Sequence, residues 1–148
     1  MKISVITVCF QAEENIAKTI ESVKRQTYED IEYIIVDGNS HDRTLTVIRE
    51  TLGDHSAKIL SEPDRGIYDA MNKGVGLAGG DYIHFLNAGD TYHDDQVIEN
   101  TVTWIEKTGA DIVYGDIEYL YPDGSRERRN YDGKCGRQIY YLTGDCIN

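Results

Sequence analysis

Ile3-Ser4-Val5-Ile6-Thr7-Val8-Cys9-Phe10 decides the fold. With Lys2 before it, this run is apolar, β-branched and of strand length, bounded by polar sequence, which is the pattern of a buried strand. The period then changes. From Glu13 to Gln26 the apolar residues Ile16, Ile20 and Val23 recur at helical spacing, and Glu14/Lys18 and Glu21/Arg25 stand as i,i+4 ion pairs in the favourable order.

Strand followed by helix recurs downstream. Ile31 to Val36 is a second strand, and it runs into the turn cluster Asp37-Gly38-Asn39-Ser40, which also supplies a helix N-cap. Leu45, Ile48 and Leu52 mark a second helix, stopped at Gly53. Lys58 to Ser61 is a short third strand, and a helix runs from Ile67 through Lys73 with Gly74 and Gly76 near its end. Gly79-Gly80 precedes a fourth strand, Asp81 to Leu86, which leads into Asn87-Ala88-Gly89-Asp90. A helix from Asp94 to Thr108, with Val97, Ile98, Val102 and Ile105 on one side, stops at Gly109. Ala110 to Tyr114 has strand character, as does Ile117 to Tyr121, and Pro122-Asp123-Gly124 with the polar return reads as a hairpin.

Strands that alternate with helices of ten or more residues pair in parallel through right-handed crossovers. The expected fold class is therefore α/β, a three-layer α/β/α sandwich on a mostly parallel, Rossmann-like sheet. Ligands of such sheets sit beyond the carboxyl ends of the strands.

Composition fits one soluble domain of 148 residues, with 40% hydrophobic and 28% charged residues. The net charge of −11 argues against an electrostatic hold on nucleic acid or an anionic membrane, which needs clustered cations. The charge is uneven: five cations and four anions follow Leu120, which leaves −12 on the first 120 residues. The N-terminal apolar run is broken by Ser4 and Thr7 and lacks a small-residue cleavage site, so a signal peptide is not expected, and no stretch is long and apolar enough for a membrane span. Cys9, Cys135 and Cys146 form neither a CxxC pair nor an even set, which argues against a disulfide framework or a structural zinc site. The default compartment is the cytoplasm.

The strand ends collect Thr7, Cys9 and Phe10, then Asp37 and Asn39, then Glu62, Asp64 and Arg65, then Asn87 and Asp90. Carboxylates from separate segments at one sheet edge repel unless each has its own partner, and a nucleotide with a divalent cation supplies such partners. A dinucleotide fingerprint would place GxGxxG in the first strand-to-helix turn, where this chain has Cys9-Phe10-Gln11-Ala12-Glu13-Glu14. A P-loop is absent as well.

Four segments, in order, resemble glycosyltransferase family 2, inverting enzymes of GT-A fold that use nucleotide-diphosphate sugars. They are Ile3 to Phe10, Ile34 to Thr44 (Ile-Ile-Val-Asp-Gly-Asn-Ser-His-Asp-Arg-Thr), Asp64 to Gly74 (Asp-Arg-Gly-Ile-Tyr-Asp-Ala-Met-Asn-Lys-Gly) and Gly80 to Asp90. Ala110 to Asp116 is similar too. The resemblance implies that Thr7, Cys9 and Phe10 border the base, that Asp37, with Asn39 in its turn, accepts from base or ribose, and that Arg65 faces the nucleotide or its diphosphate. It also implies that Asp90, in the position of the DXD region, holds Mg²⁺ or Mn²⁺. Residues 1–90 would form the nucleotide-sugar-binding core of a single domain, and 91–148 a helix, a hairpin and the start of an acceptor region. The partners implied are a nucleotide-diphosphate sugar and an acceptor glycan or lipid-linked sugar, with no nucleic acid. The implied role is sugar transfer to a hydroxyl in cell-surface polysaccharide synthesis, in the cytoplasm or peripherally at the inner face of the membrane. Apolar surface left by an incomplete acceptor half would suit a second copy of the chain.

Two departures stand out. Asn87 and Gly89 occupy positions where family members commonly carry aspartate, so Asp90 is the only carboxylate in Asn87-Ala88-Gly89-Asp90. No late carboxylate matches the family's catalytic base; Asp145 is the nearest approach, and the base is expected to be missing. Two rivals remain at this stage. A nucleotidyltransferase calls for a glycine-rich, basic loop after the first strand, and a non-catalytic nucleotide-sugar-binding module would bind without transfer. The plainer readings make Asp37 and Asp90 turn residues, Arg65 a partner of Asp64 or Asp69, His84 a satisfied sheet residue and Cys9 a buried wall residue.

Overall fold

The structure, a computed structural model, describes residues 1–129. Cys135, Cys146, Asp145 and the positions assigned above to an acceptor region past Arg129 lie outside them. The elements are β1 (Ile3–Cys9), α1 (Ile16–Lys24), β2 (Ile31–Asp37), α2 (Thr44–Leu52), β3 (Lys58–Ser61), α3 (Ile67–Leu77), β4 (Tyr82–Phe85), α4 (Val97–Thr108), β5 (Ile117–Leu120) and β6 (Arg126–Arg129).

The first four strands form one parallel sheet in the order β3-β2-β1-β4. Register sets Cys9 opposite Asp37, and Asp37 opposite Ser61, so the carboxyl ends of three strands finish level. Alternation along β1 serves two faces. Ile3, Val5 and Cys9 join the larger core with Ile16, Ile20, Tyr33, Ile35, Ile48, Ile98 and Val102, contributed in part by α1, α2 and α4. Ile6 and Val8 join the smaller core with Ile34, Val36 and Ala70 beneath α3. Helices on both faces make the three layers expected from the sequence. Gly74 is where α3 comes closest: a β-carbon there would stand 2.5 Å from Ile6 Cγ2.

Four local expectations are corrected. Ala110–Tyr114 is not a strand; Ile112 there is 52% exposed, so the run lacks the burial that a ladder position rewards. The first helix begins at Ile16 instead of Glu13; residues 13–15 form a turn closed by the Asn15 amide on Ala12 O at 3.0 Å, and the Ala12 and Glu13 amides donate to Thr44 Oγ1 (2.8 Å) and Asp42 Oδ2 (3.3 Å). Ser40 does not cap α2, which starts at Thr44 with Asp42 Oδ1 accepting from the Thr44 amide at 3.0 Å. In α1, Glu21 pairs with Lys24 at 3.1 Å, and Arg25 reaches Asp95 at 3.2 Å.

Candidate functional site at the carboxyl edge of the sheet

Asp37 ends β2 wholly buried, and the protein itself occupies its carboxylate. Oδ1 accepts from Ser40 Oγ at 2.5 Å and lies 3.8 Å from the Cys9 thiol sulfur. Oδ2 accepts from the Ser40 amide (3.0 Å) and Ser61 Oγ (2.7 Å). A buried carboxylate is tolerated only with such partners, and this set ties the ends of β1, β2 and β3 into one unit. Burial, followed by the Asp37 charge, pushes the Cys9 thiol far above its ordinary range, so it stays protonated and unreactive. Thr7 is likewise fully buried, its hydroxyl sharing a 3.0 Å hydrogen bond with the Tyr33 hydroxyl. Thr7, Cys9 and Asp37 thus form the floor of the edge, one layer below its surface.

Above this floor the loops are cross-tied. The Gln11 amide donates to Ser40 Oγ at 2.8 Å, the Arg43 amide to Glu13 Oε2 at 2.8 Å, and the Gly38 amide to Cys9 O at 2.9 Å. Gln11 (φ 47°) and Asn39 (φ 64°) both adopt the left-handed region that L-residues seldom enter, Asn being the better suited. Such conformations persist where surrounding bonds over-determine them. The Thr44 hydroxyl, foremost among several donors, holds the Asp42 carboxyl below its ordinary range.

The surface of the edge is built by Phe10, Gly38, Asn39, Asp64 and Arg65. Phe10 is 59% exposed at the end of the central strand. A β-carbon on Gly38 would stand 2.5 Å from Asp64 Oδ2 and 3.3 Å from Phe10 Cδ2, so three segments meet here and a side chain at this position would displace the Asp64 carboxylate. The Asp64 segment is fixed by the Glu62 amide donating to Asp37 O (3.1 Å) and by Lys73 of α3, which donates to Pro63 O (2.7 Å) and pairs with Glu62 (3.0 Å). The hydrogen bond to Glu62 raises the Lys73 pKa. Arg65 is exposed, and its backbone amide, not its guanidinium, bonds to Asp69 Oδ2 at 3.1 Å.

Past β4 the chain turns through Asn87-Ala88-Gly89-Asp90. The Ala88 amide donates to Val8 O (3.1 Å), the Gly89 amide to Thr19 Oγ1 (2.9 Å) and the Asp90 amide to Asn87 O (3.0 Å). Asp90 is 5% exposed. Asn87 Oδ1 is buried and accepts no hydrogen bond among the described residues, which is costly for an amide oxygen unless something else meets it. No group of three or more His, Cys, Asp or Glu converges among the described residues. A hard-oxygen pair of one carboxylate and one amide carbonyl fits a divalent cation that takes its remaining ligands from phosphate and water.

On its outer side β4 has no strand neighbour among the described residues, and a groove of about 1140 Å³ opens there between β4, α4 and residues 111–118. Ile83, Phe85, Trp104 and Ile112 give it an apolar lining. His84 also lines it, and its Nδ1 shares a 2.7 Å hydrogen bond with the Tyr92 hydroxyl, their rings stacked at 5.4 Å.

A parallel 3-2-1-4 sheet with helices on both faces and polar groups gathered at its carboxyl edge defines a Rossmann-like, GT-A-type protein. Solved structures agree: S. aureus TarS 1-349 in complex with UDP-GlcNAc superposes with a TM-score of 0.77 at 20% identity, over 86% of this chain and 37% of that one. The mannosyltransferase PcManGT from Pyrobaculum calidifontis, in complex with GDP-Man and Mn²⁺, superposes with a TM-score of 0.67 at 22% identity, over 80% and 35%. The chain belongs to glycosyl transferase family 2, whose model matches residues 4–146. Glycosyltransferase AglE of Haloferax volcanii is 33% identical over 141 residues, covering 93% of this chain and 46% of the relative. The PGL/p-HBAD biosynthesis glycosyltransferase of Mycobacterium tuberculosis is 38% identical over 102 residues, covering 66% and 40%. The chain therefore spans less than half the length of these curated relatives. No helix among the described residues is long and apolar enough to cross a membrane.

Asp64 and Asn87 are legible in the sequence as strand-end residues, and Asn87 also as a neutral-oxygen contact for a hard cation. The proximity of Gly38 to Asp64 and the unmet Asn87 oxygen are facts of packing.

Proposed function

We propose that this chain forms the nucleotide-sugar-binding part of an inverting glycosyltransferase. Residues 1–90 serve as the donor core, and residues from 91 onward carry the chain toward the acceptor. In this reading a nucleotide-diphosphate sugar lies across the carboxyl edge of the sheet. Phe10 faces the base, the backbone around Asn39 lies near the ribose, and Arg65 offers its guanidinium to the diphosphate. Thr7, Cys9 and Asp37 act from beneath by holding the turns that carry these groups. Asp90 and Asn87 would hold Mg²⁺ or Mn²⁺. When bound, such an ion neutralises charge developing on the leaving diphosphate.

The reaction forms a bond between an acceptor hydroxyl oxygen and the anomeric carbon as the bond from that carbon to the diphosphate oxygen breaks. The electron pair leaves with the nucleoside diphosphate, the acceptor proton passes to a general base, and the configuration inverts. No described residue is assigned as that base. The acceptor would be a glycan or lipid-linked sugar in cell-surface polysaccharide synthesis, met in the cytoplasm at the inner face of the membrane.

The observation that carries this reading is the Asn87–Asp90 turn at the carboxyl edge of the sheet, which holds a buried amide oxygen without a donor among the described residues and, three residues on, a carboxylate that is 5% exposed. The test is calorimetric titration with UDP and with GDP, with and without Mn²⁺. Binding of at least one, strengthened by Mn²⁺, is expected; binding of neither contradicts the reading.

A further inference from the structure

The proposed nucleotide site contains an acceptor that its most obvious carboxylate cannot provide. Asp37 is wholly buried, and both of its oxygens are already engaged by Ser40, Ser61 and the Cys9 thiol. Asp64 differs in each respect. It is half-buried, and Oδ1 accepts from the Gly66 amide at 2.9 Å, which fixes the plane of the carboxylate. No described residue donates to Oδ2, which lies directly over Gly38 and beside the exposed Phe10 ring.

We propose that Asp64, through Oδ2, reads the nucleotide base and selects one that presents a ring N–H on its pairing edge, with the base laid on Phe10. Uracil and thymine (N3–H) and guanine (N1–H) meet that demand. Cytosine and adenine present a lone pair at the corresponding ring nitrogen and face the carboxylate with like polarity. Phe10 supplies a face for any base, because every base can stack, so discrimination falls to the carboxylate. Placement favours this assignment over a solvated surface role. The Glu62 amide bond to Asp37 and the Lys73 contacts to Pro63 and Glu62 hold the segment still, and Gly38 leaves the space that the carboxylate fills. A hydrogen bond to a fixed carboxylate is worth roughly 1.5–3 kcal/mol, about 10- to 150-fold in affinity.

This inference rests on the nucleotide-sugar reading above, and one set of titrations separates the two. Wild-type protein and the variants Asp64→Ala and Asp64→Asn are titrated in Mn²⁺ with UDP, GDP and CDP, and with the N-methylated probes 3-methyl-UDP and 1-methyl-GDP. Wild type should bind UDP or GDP at least about tenfold more tightly than its methylated counterpart. Asp64→Ala should lose that preference while keeping its Mn²⁺ dependence. In Asp64→Asn the side-chain oxygen stays with the Gly66 amide, which turns the NH₂ toward the base, so the ratio of CDP to UDP affinity should rise by about tenfold or more. Wild type that binds neither UDP nor GDP overturns the site itself. Binding with an unchanged methyl penalty in Asp64→Ala and an unchanged CDP ratio in Asp64→Asn overturns the role of Asp64 alone. Thermal melts of both variants confirm that the fold is kept.

Discussion

The edge over β1, β2 and β3 and the edge beyond β4 are built on opposite principles. Over the first three strands nearly every polar group is met within the protein: Asp37 by two serines, the Gln11 and Ala12 amides by Ser40 and Thr44, Lys73 by Pro63 and Glu62. Beyond β4 the Asn87 oxygen is buried and unmet, Ile83 is 42% exposed, and the strand borders an apolar groove. The first region is tied together before any ligand arrives and leaves Asp64 Oδ2 at its surface without a donor among the described residues. The second leaves the buried Asn87 oxygen without a donor among the described residues. Preorganisation of this kind lowers the ordering cost of binding, and under the proposed function a ligand meeting the Asn87 oxygen would recover the cost of its burial.

Breaking the tied side should have the largest effect. Asp37→Ala strands the Ser40 and Ser61 groups and leaves a hole beside Cys9, so stability measured by urea unfolding should fall by about 3 kcal/mol, and nucleotide affinity should fall with or without Mn²⁺. Asp90→Ala tests the other side. It should remove the Mn²⁺ enhancement of UDP or GDP binding while leaving metal-free affinity within about twofold, since only one of the two proposed metal oxygens remains. Gly38→Ala sits between them: the new methyl meets Asp64 Oδ2 and the Phe10 ring, so about 1–2 kcal/mol of stability and several-fold in nucleotide affinity should be lost as Asp64 is displaced.

The smallest effect belongs to the far end of the strands. Hydrogen bonds from Lys58, first, and then from Ser4 and the Gly79 amide hold Glu32 down at about 2, below its ordinary value. A lowered folded-state pKa contributes stability above the unfolded value of 4.5 and loses it as pH falls toward 2. Melting temperatures taken across that window should therefore drop less steeply for Glu32→Gln than for wild type, with nucleotide binding at neutral pH unaffected. An unchanged slope would mean that Glu32 carries no linked stability.

The same contrast explains what could be read from sequence. Residues 3–9, 31–37 and 58–61 announce themselves through β-branched and apolar runs, and Ile16, Ile20, Val23, Ile48, Leu52, Ile98 and Val102 through helical spacing, because burial imposes those periods. Ala110–Tyr114 looked like a strand by composition, yet with Ile112 at the surface its pattern had no sheet to serve. The segments that end at Phe10, Asp37 and Asp90 are legible as neighbours at one sheet edge, since topology brings strand ends together. Whether a carboxylate faces inward or outward was not legible. Asp37 and Asp64 are both strand-end aspartates, and only the positions of Ser40, Ser61 and Gly38 in space distinguish the buried one from the presented one.

The most direct measurement is a backbone NMR map of the protein titrated with the nucleoside diphosphate it binds, first without metal and then with substoichiometric Mn²⁺. The account predicts shifts at Phe10, Gly38, Asn39 and Asp64 on adding nucleotide, and selective paramagnetic broadening centred on Asn87 to Asp90 once Mn²⁺ joins it. Shifts and broadening confined to Ile83, Trp104 and Ile112 in the groove beyond β4, or to the β5–β6 hairpin, would contradict it.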